Sequence, residues 1–119
     1  MPDPKALRVR LEAACDTPAF PAQLSFKAMF GGLTGYADER NFASLSDVGL
    51  AFKLAPNDIA ALVALGGAML RYEPNMPASK TSVVVPARVL DDDDALRDWA
   101  IRSARHVATL PLKKKKPKS

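Results

Sequence analysis

Leu24-Ser25-Phe26-Lys27-Ala28-Met29-Phe30-Gly31-Gly32-Leu33-Thr34-Gly35-Tyr36-Ala37 is the stretch whose reading decides the fold. Leu24, Phe26, Ala28 and Phe30 alternate with Ser25, Lys27 and Met29, the period-two pattern of a strand with one apolar face. Gly31-Gly32 interrupts the alternation and predicts a turn or bulge. A second strand then covers residues 33–37. The polar run Asp38-Glu39-Arg40-Asn41 predicts another turn, followed by a third strand at 42–45. After Asp47-Val48-Gly49 comes a fourth alternating run at 50–54. Connections this short cannot hold the crossovers that parallel neighbours need, so the strands are antiparallel.

Working outward, Leu7, Leu11 and Ala14 recur at spacings of four and three, which predicts an upstream helix over residues 4–15. Thr17-Pro18 ends it, because the residue before a proline avoids helical angles. Downstream, Pro56-Asn57-Asp58 predicts a helix start, with Pro in the first turn and Asn or Asp as the cap. Ile59, Leu62 and Val63 are its expected buried face, and Gly66-Gly67 its stop. Two more strands are expected at 68–72 and 81–85, joined by an exposed loop. A last helix starts in Asp91–Asp94 and ends near Leu110-Pro111, with Leu96, Trp99, Ser103, Val107 and Leu110 on one face. The polar interruption at Ser103 is small. The fold class is therefore α+β, an antiparallel sheet flanked by helices.

A chain of 119 residues with 48% apolar content suits one domain with an ordinary core. The net charge of +4 comes from the end of the chain, since residues 113–119 carry five lysines and no acid. Without them the rest is near neutral, so a basic pI speaks only for that segment. The expected division is a domain over residues 1–112 and a disordered Lys-rich tail over 113–119. Cys15 is the single cysteine, which excludes a disulfide framework. The start lacks the pattern of a secretory signal, and no apolar run approaches the ~18 residues of a membrane span. A cytoplasmic protein is expected.

Groups that carry chemistry are sparse. The one histidine, His106, flanks the apolar face of the last helix and has no nucleophile or orienting group beside it in sequence. Cys15 lies at a helix C-terminal end, where the dipole disfavours a thiolate. Asp91–Asp94 fits a first helical turn, which favours acids, and lacks the spacing of a calcium loop. Gly31-Gly32-Leu33-Thr34-Gly35 has no Gly-Lys-Ser/Thr after it and opens no helix, so it is not a phosphate-binding loop. No catalytic, cofactor-binding or metal-binding set is expected. Lys53 on an apolar strand is the one candidate for a perturbed amine, if buried near His106. The Lys113–Lys116 run has no interleaved aromatics, so a base-stacking platform is not indicated.

Lys27-Ala28-Met29-Phe30-Gly31-Gly32, followed by Gly35-Tyr36 and Phe42, resembles the Met-Phe-Gly-Gly signature of the TfoX/Sxy family's N-terminal domain. Leu50-Ala51-Phe52-Lys53-Leu54, Leu70-Arg71-Tyr72, Val83-Val84-Val85-Pro86, Val89-Leu90, Leu96 and Trp99-Ala100 continue the resemblance, which covers residues 5–112. One departure is Asp38-Glu39, where the family often has Asp-Gly; it implies a different turn type. The resemblance implies a secretion-chaperone-like fold in the order α-βββ-α-ββ-α. It also implies kinship with competence regulators, whose full-length members act in transcription and carry a further helical domain. It transfers no catalytic residue and no cofactor.

The functional expectation is a non-enzymatic regulatory module that binds a protein partner, such as the transcription machinery, through Met29, Gly31, Gly32, Gly35 and Tyr36. The ordinary reading of the same segment is structural, with Phe30 in the core and the glycines as turn formers. A second expectation is weak, sequence-independent nucleic-acid contact through Lys113, Lys114, Lys115, Lys116 and Lys118. No membrane partner is expected, and a homodimer stays open.

Overall fold

The structure is a computed structural model. It describes residues 3–110 except Phe30, Gly31, Tyr72 and Pro74, and except the side chain of Met29. The expected tail and the domain boundary at 112 lie outside the described residues, as does the expected core role of Phe30.

Helix α1 (Pro4–Cys15) starts where Asp3 accepts a hydrogen bond from the Lys5 amide and Pro4 occupies the first turn. Its buried residues are Leu7, Leu11, Ala14 and Cys15, the face set by spacings of three and four. Four strands follow: β1 (Leu24–Met29), β2 (Gly32–Ala37), β3 (Arg40–Ser46) and β4 (Gly49–Lys53). The residue alternation gives four strands here, and the three implied by the family resemblance are one too few. The β2–β3 turn is tighter than expected, because Arg40 and Asn41 already belong to β3. Asp38 alone takes a left-handed conformation there, with φ 61°. A type I′ turn would need two such residues. Gly49 opens β4 at φ +133°, and an added Cβ would meet the Val84 side chain at 3.0 Å.

Helix α2 (Pro56–Ala64) departs from expectation at its start. The N-cap is Ala55, with no side-chain bond; Asn57 and Asp58 lie inside the first turn and do not cap it. Its end is as expected. Gly66 has φ +113°, its amide donates to the Val63 carbonyl, and the Gly67 amide donates to that of Leu62, which satisfies the last carbonyls. Strand β5 (Ala68–Met69) is shorter than its expected span, and β6 (Ser82–Val84) pairs with it. A short helix α3 (Ala87–Leu90), unforeseen, precedes α4 (Asp93–Ala108). Asp92 caps α4 by accepting from the amides of Asp94 and Ala95.

Among the described residues the sheet has six strands in the order β1-β2-β3-β4-β6-β5, every pair antiparallel. Its apolar face carries Leu33, Leu45, Leu50, Phe52 and Val83, and α1 and α4 pack on that face. A bulge serves this packing. Gly35 pairs with Ala43 and Tyr36 with Asn41, so Phe42 is an extra residue, and Phe42 and Ala43 both enter the core. The Phe42 ring lies 6.0 Å from that of Phe52 and 5.8 Å from that of Phe20. Trp99 is buried against the sheet side of α4, as its helical position predicts.

Candidate functional site

The pairing register that sends Phe26, Leu33, Leu45 and Phe52 inward sends their neighbours to the other face. That second face carries Ser25 and Lys27 from β1, Thr34 and Tyr36 from β2, and Asn41, Ser44 and Ser46 from β3. Ala51 and Lys53 of β4 and Ser82 and Val84 of β6 complete it. None of these belongs to the core, and no described helix covers them. An antiparallel sheet tolerates one such face when its side chains are polar or small. Thr34, Ser46 and Ala51 are buried there. Tyr36 is half-buried, and the Lys27 ammonium stands 5.6 Å from its ring centroid.

The structure separates the residues of the glycine segment. The β1–β2 hairpin closes on the pair Met29–Gly32. A Cβ on Gly32 would run into the Leu45 carbonyl oxygen. A Cβ on Gly35 would lie 3.2 Å from that of Ala43 and 3.4 Å from ring carbons of Phe26 and Phe42. Strand approach therefore accounts for both glycines without any partner. Gly31 and the Met29 side chain lie outside the described residues. Of the five candidate contact residues, Tyr36 is the one shown presenting a side chain on the open face.

Sequence reasoning misplaced a second surface. Residues 59–69, Ile59 to Met69, have no polar side chain, yet only Leu62 of α2 is buried. Val63, expected in the core, is 42% exposed, and Leu65 is 38% exposed. Ala60, Ala61, Ala64 and Ala68 are exposed around them. The apolar run hid this arrangement because it has no polar residues to mark the solvent side.

The matching family model is the TfoX N-terminal domain, over residues 19–107. The chain belongs to that family. The match spans the sheet, α2 and most of α4. No curated protein matches the chain.

In this TfoX N-terminal domain several titratable groups have structural roles. Burial pushes the Cys15 thiol up to about 12, outweighing the opposing pull of Arg97, so it is a protonated core residue at neutral pH. Asp92 is the α4 cap, Asp94 pairs with Arg97 at 2.9 Å, and Asp91 faces Arg10 at 3.7 Å. No group of metal-binding side chains occurs among the described residues. The Ser103 hydroxyl is buried between the carbonyls of Lys53, 2.6 Å away, and Phe42, 3.0 Å away. Lys53 and His106 are not brought together as a catalytic pair. The Lys53 side chain belongs to the open face, while α4 with His106 packs on the other. No described helix is long and apolar enough to cross a membrane.

Proposed function

We propose that the chain is a non-enzymatic regulatory module of the competence-regulator type, linked to transcription in the cytoplasm through a protein partner that docks on α2. The observation that carries this reading is the exposed apolar surface of α2, where Val63, Leu65 and neighbouring alanines face solvent. Contiguous exposed apolar residues are the usual mark of a protein contact. Membership of the TfoX N-terminal domain family supports a regulatory role. The test is quantitative cross-linking and mass spectrometry in the source cells, at native expression. The parent should capture a specific partner of the transcription machinery, and a variant with Val63→Lys and Leu65→Lys should lose it while keeping its fold. Capture of no specific partner, or equal capture by the variant, refutes the reading.

A second reading, weak nucleic-acid binding through the tail, is favoured by the five lysines of residues 113–118. It requires affinity that falls with salt, with a slope of about −0.9 per phosphate neutralised on a duplex, and that disappears on deleting residues 113–119.

A further inference from the structure

We propose that the outer edge of β1 pairs with β1 of a second copy of this chain, antiparallel and centred on Phe26, to form a two-fold dimer. The proposal does not rest on the partner reading of α2, which packs near β6 toward the opposite edge of the sheet.

The first argument is the edge itself. Among the described residues β1 pairs with β2 alone. The Gln23 carbonyl accepts a hydrogen bond from the Asp38 amide at 2.8 Å, and the register runs unbroken from Leu24–Ala37 to Met29–Gly32. Bonded and non-bonded pairs alternate along such a ladder. Ser25 and Lys27 therefore turn their amides and carbonyls toward β2, while Leu24, Phe26 and Ala28 turn theirs outward. The usual guards of an edge are missing. Strand β1 has no proline and no bulge, and its one lysine, Lys27, stands beside the Tyr36 ring of its own sheet. The opposite edge, β5, is two residues long, so pairing at β1 closes a dimer and does not propagate.

The second argument is self-complementarity. Laid antiparallel on itself about Phe26, β1 brings all its outward residues into register. Phe26 faces Phe26 of the second copy, and Leu24 faces Ala28 on either side, each pair exchanging both backbone bonds. On the helix-bearing face these pairs join apolar side chains only. On the other face Ser25 meets Lys27, so the one charge of the strand never meets its copy. Centring on Lys27 would oppose two ammonium groups, and centring on Ser25 would carry Ala28 past the end of the partner strand.

The third argument is incomplete cover. Helix α1 packs over β2, β3 and β4, and at β1 Leu24 and Phe26 stay half-buried while Ala28 is exposed. Arg8 lies 4.6 Å from the Phe26 ring centroid and bonds Glu12 at 3.0 Å, so this cation brings its own carboxylate to the contact. A second Phe26 adds the apolar cover that α1 does not supply, and ring pairs of this kind are favourable. A contact confined to one strand pair falls below the ~1,200 Å² of stable interfaces, so the dimer is weak, with a Kd on the order of 10–100 µM.

The test is sedimentation velocity of the full chain across that concentration range, where the parent should pass from monomer to dimer. Ala28→Pro removes an outward donor without touching a β1–β2 bond and should weaken association about tenfold or more. Val63→Lys with Leu65→Lys should leave the dimer unchanged, so loss of an α2 partner and loss of the dimer are separate results. Ser25→Cys and Lys27→Cys chains report the register even if the proline variant misfolds. In the proposed pairing their Cα atoms are about 4.5 Å apart across the two-fold, within disulfide reach. Oxidising an equimolar mixture should link the two variants to each other and neither to itself. A monomer at every concentration, a folded Ala28→Pro variant that associates like the parent, a dimer abolished by the α2 substitutions, or no preference for the mixed disulfide would each overturn the proposal.

Discussion

Helices α2 and α4 lie in one layer and were read from sequence by one rule, yet they meet the sheet very differently. In α4, Leu96, Trp99, Ala100, Ser103, Ala104 and Val107 are buried, and the charged residues between them mark the solvent side. Helix α2 is the more apolar by composition, but it buries only Leu62. Periodicity, not apolar content, sets the buried face when a helix lies across a sheet. Helix α4 crosses β3 and β4 at the centre of the sheet, whereas α2 packs near β6 toward one edge. Arg102 of α4 also bonds Asp58 of α2 at 2.9 Å, but that pair is partly exposed and adds little.

The largest effect is expected at Trp99. Truncation to Ala should cost about 3–5 kcal/mol, because a buried aromatic is removed from the best-packed helix. Chemical denaturation of Trp99→Ala checks this, and a loss under ~1 kcal/mol would mean that α4 is no better anchored than α2. The next test lies within α2 itself. Leu62→Ala should cost about 2–5 kcal/mol, while Val63→Ala, one position on, should stay within ~0.5 kcal/mol. Equal losses at the two sites would erase the contrast and place Val63 in the core after all.

Ser103 comes third. Its hydroxyl serves the Phe42 and Lys53 carbonyls where β3 and β4 part beside the bulge. Ser103→Ala leaves both without that donor and should cost about 1–3 kcal/mol. Replacement by Thr, which keeps the hydroxyl, should be better tolerated than replacement by Val, measured as unfolding midpoints. If Val and Thr behave alike, the site is about volume only.

Cys15 gives a smaller, pH-dependent effect. A thiol with its pKa raised to about 12 from 9.0 keeps its proton in the folded state after the unfolded chain has lost it. The stability it contributes is present below pH ~9 and declines as pH rises toward 12. Cys15→Ala should flatten that alkaline decline, and the native thiol should label slowly at pH 8. Fast labelling under native conditions would contradict its burial.

The sequence made legible whatever had a marked period. Leu7, Leu11 and Ala14 of α1, the Leu96–Val107 face of α4, Leu24 and Phe26 of β1 and the alternation in β4 all sit where their spacing put them, whereas Ala28 at the end of β1 is exposed. The bulge at Phe42 did not show, because an extra residue in a ladder is defined by the partner strand. Helix α3 is one turn behind Pro86, too short to display a period. At the candidate site, Tyr36 was picked out with its glycines, but its place on an uncovered face depends on register across three strands. The role of Gly32 depends on the Leu45 carbonyl, which lies across the sheet.

The smallest effect on stability is expected from deleting the lysine-rich segment. Residues 113–118 contain five lysines and no acid, so any compact arrangement brings like charges together. No apolar residue follows Leu112, and Pro117 blocks a continued helix. We infer from this sequence that the segment contributes little to folding. Of the acids that could receive it, Asp91, Asp92 and Asp94 are already engaged with Arg10, the amides at the start of α4 and Arg97. They also lie at the far end of α4, whose 16 residues make a helix about 24 Å long. Deleting residues 113–119 should therefore leave the melting temperature within about 1–2 °C of the parent, while removing most affinity for a polyanion such as heparin. Calorimetry and an anisotropy titration on the one truncated chain measure both. A drop of several degrees would mean that the segment docks on the body and contributes to the fold, which would remove the distinction between packed chain and free charge on which the tail reading rests.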